Sequence, residues 1–223
     1  MNLLSIDTST EKASVALALN GEIRWEEQDV QRQHARMLLP TIDRLLADSE
    51  LCLSQLDAIV YGRGPGSFTG LRIACSVAKG LAYSHDLPLL PVSSLAAIAN
   101  EVRVQNQLAK DAVILAVLDA RMNQLYWACF AGDAKESEEQ VCDAADIHVP
   151  GEKKFVLAGV GFDAYLRQLP VSLHTRLVNH FTIYPHAQAM IRLALSGEVK
   201  AISAAEALPV YVRNQITQGE TRG

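Results

Sequence analysis

Apolar positions come first in short continuous blocks and then at helical intervals. Leu3, Leu4 and Ile6 run up to Asp7, and Ala13 to Leu19 is followed by Asn20-Gly21 and then Glu22 to Gln28. Asn-Gly favours a type I′ turn, so these segments predict a strand over Asn2 to Asp7 and then a hairpin. From Gln33 to Asp48 the residues Met37, Leu38, Ile42, Leu45 and Leu46 recur at helical spacing. They predict an amphipathic helix in which Pro40 lies early enough to bend the axis without ending it. Ala58 to Tyr61 predicts a strand, Leu71 to Tyr83 a helix, Leu87 to Val92 a strand and Ser93 to Val102 a helix. The order βββαβαβα predicts an α/β lobe whose sheet is antiparallel at the hairpin and parallel where helices cross over.

The opening pattern returns more weakly near Ala112. Val113 to Leu118 predicts a strand ending in Asp119-Ala120-Arg121, and Gln124 to Phe130 predicts its hairpin partner. Ala131 to Asp146 is polar and acidic and predicts a loop with one short helix. Phe155 to Ala158 predicts a strand entering Gly159-Val160-Gly161, and Ala187 to Leu195 a helix after Pro185. We therefore expect an N-terminal lobe over residues 1–106 and a smaller, less regular C-terminal lobe over 107–223. From Arg213 onward the chain is polar and without apolar periodicity, a tail expected to lack order.

Between the predicted strand ending at Tyr61 and the helix beginning at Leu71 lies Gly62-Arg63-Gly64-Pro65-Gly66-Ser67-Phe68-Thr69-Gly70. Its glycines permit positive φ and close approach of another backbone, and a helix N-terminus supplies unpaired N–H groups that suit a phosphate. It is not a P-loop, because Gly70 is followed by Leu71 where Lys-Ser/Thr is needed. It is not a dinucleotide fingerprint, because position 67 is Ser67. A tight turn and a ligand-binding turn both remain open.

Composition narrows the class. The chain has 223 residues, 49% of them hydrophobic, enough for a substantial core in one domain or two small lobes. Met1 to Ile6 is no charged-then-apolar leader and no apolar run reaches membrane-spanning length, so a cytoplasmic protein without a membrane segment is expected. Cys52, Cys75, Cys129 and Cys142 form no Cys-x-x-Cys pair, and His34, His85, His148, His174, His180 and His186 include no pair three or four apart, so no metal site is expected. The net charge of −5, with acids at Glu136, Glu138 and Glu139, argues against nucleic-acid binding by the chain alone.

Several residues admit two readings. Asp7 at a strand end either caps a turn or holds a hydrated cation or phosphate-bound metal. Asp119 and Arg121 form either a structural ion pair or a ligand clamp. Lys79 reads as a solvated residue. Ala74, Ala78 and Ala82 line one side of their helix beside Ile73, Val77 and Leu81, an apolar arc wide enough for burial on more than one side. That arc packs either within its own lobe or against a partner helix.

Asp7-Thr8-Ser9-Thr10, the block Gly64-Pro65-Gly66-Ser67-Phe68-Thr69-Gly70-Leu71-Arg72, Asp119-Ala120-Arg121 and Pro209-Val210-Tyr211-Val212-Arg213 together resemble the TsaB (YeaZ) family over essentially the whole chain. The resemblance implies two ribonuclease-H-like lobes of the actin/sugar-kinase type and a non-catalytic subunit for forming N6-threonylcarbamoyladenosine in tRNA. It implies that the paralogue TsaD is the catalytic partner, that the ATPase TsaE joins the complex, and that tRNA is met only through the complex. TsaD's two metal-binding histidines would fall at Ser94 and Ile98, neither able to replace an imidazole. Thr8 and Ser9 stand where a working kinase of this fold places glycine, and Asp119 to Asn123 contains no glycine, so no cofactor is expected on the chain by itself. ATP or ADP is expected at most near the subunit joint. A vestigial nucleotide site would consist of Asp7, Thr8, Ser9, Gly64, Gly66 and Ser67. The expected partner contacts are Arg36, Leu39, Ile42, Leu46, Ala74, Ala78 and Leu81, on a face that a homodimer would also use. The competing class is an enzyme: a small-molecule kinase using Asp7 and the glycine loop, or a glycoprotease-like metallopeptidase.

Overall fold

The structure is a computed structural model that describes residues 1–29, 34–132, 134 and 137–213. Gln33, Glu136 and the tail beyond Arg213, named above, lie outside the described residues. The first half forms β1 (Leu3–Asp7), β2 (Lys12–Leu19), β3 (Glu22–Asp29), α1 (His34–Asp48), β4 (Ala58–Gly64), α2 (Phe68–His85), β5 (Leu89–Ser93) and α3 (Ser94–Gln105). The second half forms β6 (Val113–Arg121), β7 (Gln124–Phe130), β8 (Gln140–Asp143), β9 (Phe155–Val160), α4 (Val171–His174), β10 (Leu177–Thr182) and α5 (Ala187–Leu195).

Each half contributes a five-stranded sheet, in the orders β3-β2-β1-β4-β5 and β8-β7-β6-β9-β10. The two orders are one topology: a strand paired antiparallel to a meander on one side and parallel to two later strands on the other. Register agrees as well. Ile6 lies opposite Tyr61 across β1 and β4, as Leu118 lies opposite Val160 across β6 and β9, so the two strand-end aspartates, Asp7 and Asp119, occupy equivalent places.

Three apolar layers hold the sheets. α1 and α2 cover the outer face of the first sheet through Leu38, Ile42, Leu45, Leu46, Ala74 and Ala78 against Leu4, Ile6, Val15, Leu17 and Ile59. α3 and α5 fill the space between the sheets: α3 packs on both, against β6, β7 and β9 of the second and β4 and β5 of the first, whereas α5 packs on the first sheet, chiefly on β1, β2 and β4. Leu95, Ala97, Ile98 and Val102 of α3 are all fully enclosed, as expected of a helix with apolar residues around its whole circumference. Glu101, the charged residue buried there, receives hydrogen bonds from Gln105 and Gln188 and pairs with Arg192 of α5, so its charge is compensated. The outer face of the second sheet is covered by short helical turns around Ala144, Phe162, Leu169 and Leu173.

Four expectations need correction. β4 runs on to Gly64 and α2 begins at Phe68, because Ser67 caps the helix by accepting the Gly70 N–H at 3.3 Å. Inside the segment expected to be a loop, Gln140 to Asp143 forms β8 against β7. β10 was not expected at all: it is an edge strand with Val178, Asn179 and His180 exposed, so it lacks a buried apolar face to announce it. Lys79 is not merely solvated, since its ammonium donates to the carbonyls of Ala205 and Ala207.

Candidate functional site

The C-terminal ends of β1, β4, β6 and β9 open onto a cleft of about 1000 Å³ between the lobes. The first lobe contributes Ser9 to Glu11 and Gly66 to Gly70, the second Leu118 to Arg121, Tyr126, Val160 and Gly161, and the C-terminal segment Tyr211 and Arg213. Of the predicted nucleotide residues, Ser9, Gly66 and Ser67 therefore reach the wall, while Asp7, Thr8 and Gly64 lie behind it.

Behind the wall the glycine loop is filled by the chain itself. A Cβ on Gly66 would stand 2.4 Å from the Ser9 carbonyl oxygen, and one on Gly70 1.8 Å from that of Thr8. The Ser67 N–H donates to the Ser9 carbonyl at 2.7 Å, and the Thr8 hydroxyl donates to the Gly70 carbonyl at 2.7 Å. These glycines admit the turn after β1, and an N–H that a phosphate would need is already engaged.

Asp7 is wholly enclosed. Its Oδ2 accepts from the Ser9 N–H at 3.2 Å and the Ser9 hydroxyl at 2.9 Å, a turn-capping arrangement, while Oδ1 has no hydrogen-bond partner. Oδ1 sits in the space left by the missing side chain of Gly62, where a Cβ would come within 2.0 Å of it. Burial pushes this carboxyl from its ordinary 3.8 up to about 7, against the downward pull of the two Ser9 bonds. Asp119 is the open counterpart. It accepts from the Arg121 N–H at 2.8 Å, faces Gly161 as Asp7 faces Gly62, and pairs with the Arg121 guanidinium at 3.3 Å. Gly161 was not singled out from the sequence, although its register opposite Asp119 repeats that of Gly62 opposite Asp7.

The second feature is the outer face of α1 and α2. Ile42, Leu46, Ala74 and Ala78, expected as partner contacts, are buried in the chain's own core, because the alanine stripe lets α2 lie close on the first sheet. Their side chains are not available to a partner, which corrects that part of the expectation. Arg36, Leu39 and Leu81 do reach the surface, joined by Ser76, Gly80 and Tyr83; Leu39 is 47% exposed and Tyr83 83%.

A family model described as TsaD, tRNA N6-adenosine threonylcarbamoyltransferase, matches residues 27–207. The chain is 36% identical to the Haemophilus influenzae tRNA threonylcarbamoyladenosine biosynthesis protein TsaB, over 97% of this chain and 95% of that one. The chain belongs to the TsaB family. The Escherichia coli TsaB protein is 33% identical over 97% of this chain and 96% of its own. A solved structure of YeaZ from Pseudomonas aeruginosa superposes with a TM-score of 0.85 at 36% identity, covering 94% of this chain and 99% of that one. The two-lobed actin/sugar-kinase-like fold is thus shared with TsaB relatives along nearly the whole length. Ser94 and Ile98, where the resemblance would set metal-binding histidines, are both fully buried on α3, and the Ser94 hydroxyl has no partner there. In this TsaB chain those positions belong to the layer between the sheets.

Proposed function

We propose that the chain is the partner subunit of a TsaD-type enzyme in forming N6-threonylcarbamoyladenosine beside the anticodon of tRNA. The observation that carries this reading is identity above 30% to TsaB biosynthesis proteins along the whole chain, together with an exposed helical face on α1 and α2. The subunit supplies no catalytic residue. TsaD performs the transfer, the ATPase TsaE is recruited through the complex, and tRNA is met there as well. The chain holds no cofactor by itself, and ATP or ADP sits near the joint between subunits. The self-filled glycine loop and the enclosure of Ser94 and Ile98 support this division of labour. The exposed parts of α1 and α2, with Arg36, Leu39 and Leu81, dock TsaD, and a second copy of the chain competes for the same face. The setting is the cytoplasm; no helix among the described residues is long and apolar enough to cross a membrane.

Reconstitution tests the reading. Purified TsaD, TsaE and the adenylate-forming enzyme are assayed for tRNA modification with and without this chain. Modification that requires the chain, with no turnover by the chain alone, supports the partner role. Equal modification without it refutes that role.

A further inference from the structure

The segment Pro209-Val210-Tyr211-Val212-Arg213 is left unused by the reading above, and its contacts alternate between the lobes. The Val210 N–H donates to the Arg63 carbonyl of β4 at 2.7 Å, and the Tyr211 ring packs on Phe68 with centroids 5.2 Å apart while its hydroxyl accepts from Arg72 Nε at 3.1 Å. At the next residue the chain is on the other lobe. Val212 is buried with Ala120 and Val141, and the Arg213 guanidinium donates to the Ala120 carbonyl and the Gln124 amide oxygen, both at 3.0 Å. Arg213 thereby holds the β6–β7 turn, where Arg121, Met122 and Asn123 all have positive φ, a conformation uncommon for Arg and Met. Arg63 adds a second crossing beside the first, since its guanidinium forms a two-pronged pair with Glu139 at 2.9 and 3.0 Å. We propose that residues 209–213, with the Arg63–Glu139 pair, form a clasp that fixes the mouth of the cleft and ties the start of α2 to the β6–β7 turn. Opening the mouth requires release of both crossings, so the two rims loosen together.

Hydrogen exchange of the full-length chain tests this through effects on the opposite rim. Arg213→Ala is expected to speed exchange about tenfold in residues 118–124, which it touches, and also in residues 62–71 of the other lobe, which it does not. Tyr211→Ala is expected to do the converse, loosening 118–124 from its seat on Phe68. Protection of β1, residues 3–7, must stay at the parent level, which separates local release from general unfolding. If Arg213→Ala disturbs β1, Arg213→Lys replaces it, with a smaller effect expected in the same two segments. Loosening confined to the rim that each residue touches, or no change at either rim, overturns the clasp and leaves Arg213 a cap for its own turn.

Discussion

Asp7 offers the sharpest test of the site as described, because one buried carboxyl with an unpaired oxygen should leave its mark on stability against pH. Its folded value, raised to about 7, lies above its ordinary 3.8. The favourable share is therefore fully present below about pH 3.8, declines as pH rises, and is gone once pH passes about 7. Between those limits the folded state holds a proton that the unfolded state has lost, so stability falls by up to about 1.4 kcal/mol per pH unit. Across the window the loss comes to about 4 kcal/mol, an upper figure because a native state under such strain relaxes. Asp7→Asn removes the titration while keeping an oxygen for the two Ser9 bonds. Its amide nitrogen would replace the unpartnered Oδ1, a penalty that does not vary with pH. The assay is urea unfolding of both chains at intervals from pH 4 to pH 8. All other groups titrate in both, so the difference between the curves isolates Asp7. It should move in favour of the Asp7→Asn variant by several kcal/mol, mostly between pH 4 and 7. Curves that stay parallel within about 1 kcal/mol would refute the reasoning, because they would mean that Asp7 ionises in the folded chain at its ordinary value.

Three further outcomes follow from the packing. Gly70→Ala should destabilise by about 3 kcal/mol or more, since its Cβ meets the Thr8 carbonyl, whereas Gly80→Ala, with nothing within 4 Å, should stabilise the isolated chain by about 0.5–1 kcal/mol; thermal melts distinguish them. Glu101→Ala should cost about 2–3 kcal/mol in urea unfolding, because Arg192, itself partly exposed, loses its pair between α3 and α5. Leu39→Glu should weaken TsaD binding at least about tenfold, read by titration calorimetry, with an unchanged melt, whereas Ala78→Glu should unfold the chain by placing a charge in the core.

Where local chemistry decides an element, its residues announce it. Asn20-Gly21 sets the first hairpin, and Gln124 to Phe130 and Ala187 to Leu195 form the elements expected of them, to the residue. β10 is hidden because it is an edge strand in which Val178, Asn179 and His180 are exposed in a row, so no apolar-polar alternation marks it. The alanine stripe on α2 is legible as a burial signal, but 3.6-residue spacing says nothing of what lies opposite. The first sheet and a partner helix demand the same small residues, so Ala74 and Ala78 could not be assigned before the fold was known. Asp7 is similar. Its place at a strand end is readable, while the enclosure that raises its pKa depends on Gly62 arriving from 55 positions away in the chain.

The two lobes permit an internal comparison that bears on the cleft. Asp7 opposite Gly62 and Asp119 opposite Gly161 are one design at the ends of β1 and β6, yet they have different fates. In the first lobe the turn after β1 folds into the glycine loop, so the Thr8 and Ser9 carbonyls lie against Gly70 and Gly66 and the Ser67 N–H is taken by Ser9. In the second lobe the turn stays open, with Arg121 87% exposed and Arg213 bonded to the same turn through the Ala120 carbonyl. The two basic side chains that line the cleft, Arg121 and Arg213, both lie on that side. The glycine loop thus has two sides: Gly66 and Gly70 bed the turn of Thr8 and Ser9, while Gly66 to Gly70 also face the space between the lobes, opposite the less conspicuous Asp119-Ala120-Arg121. A glycine-rich turn signals close approach by some group, and only the neighbouring strand end determines whether that group is a ligand or backbone.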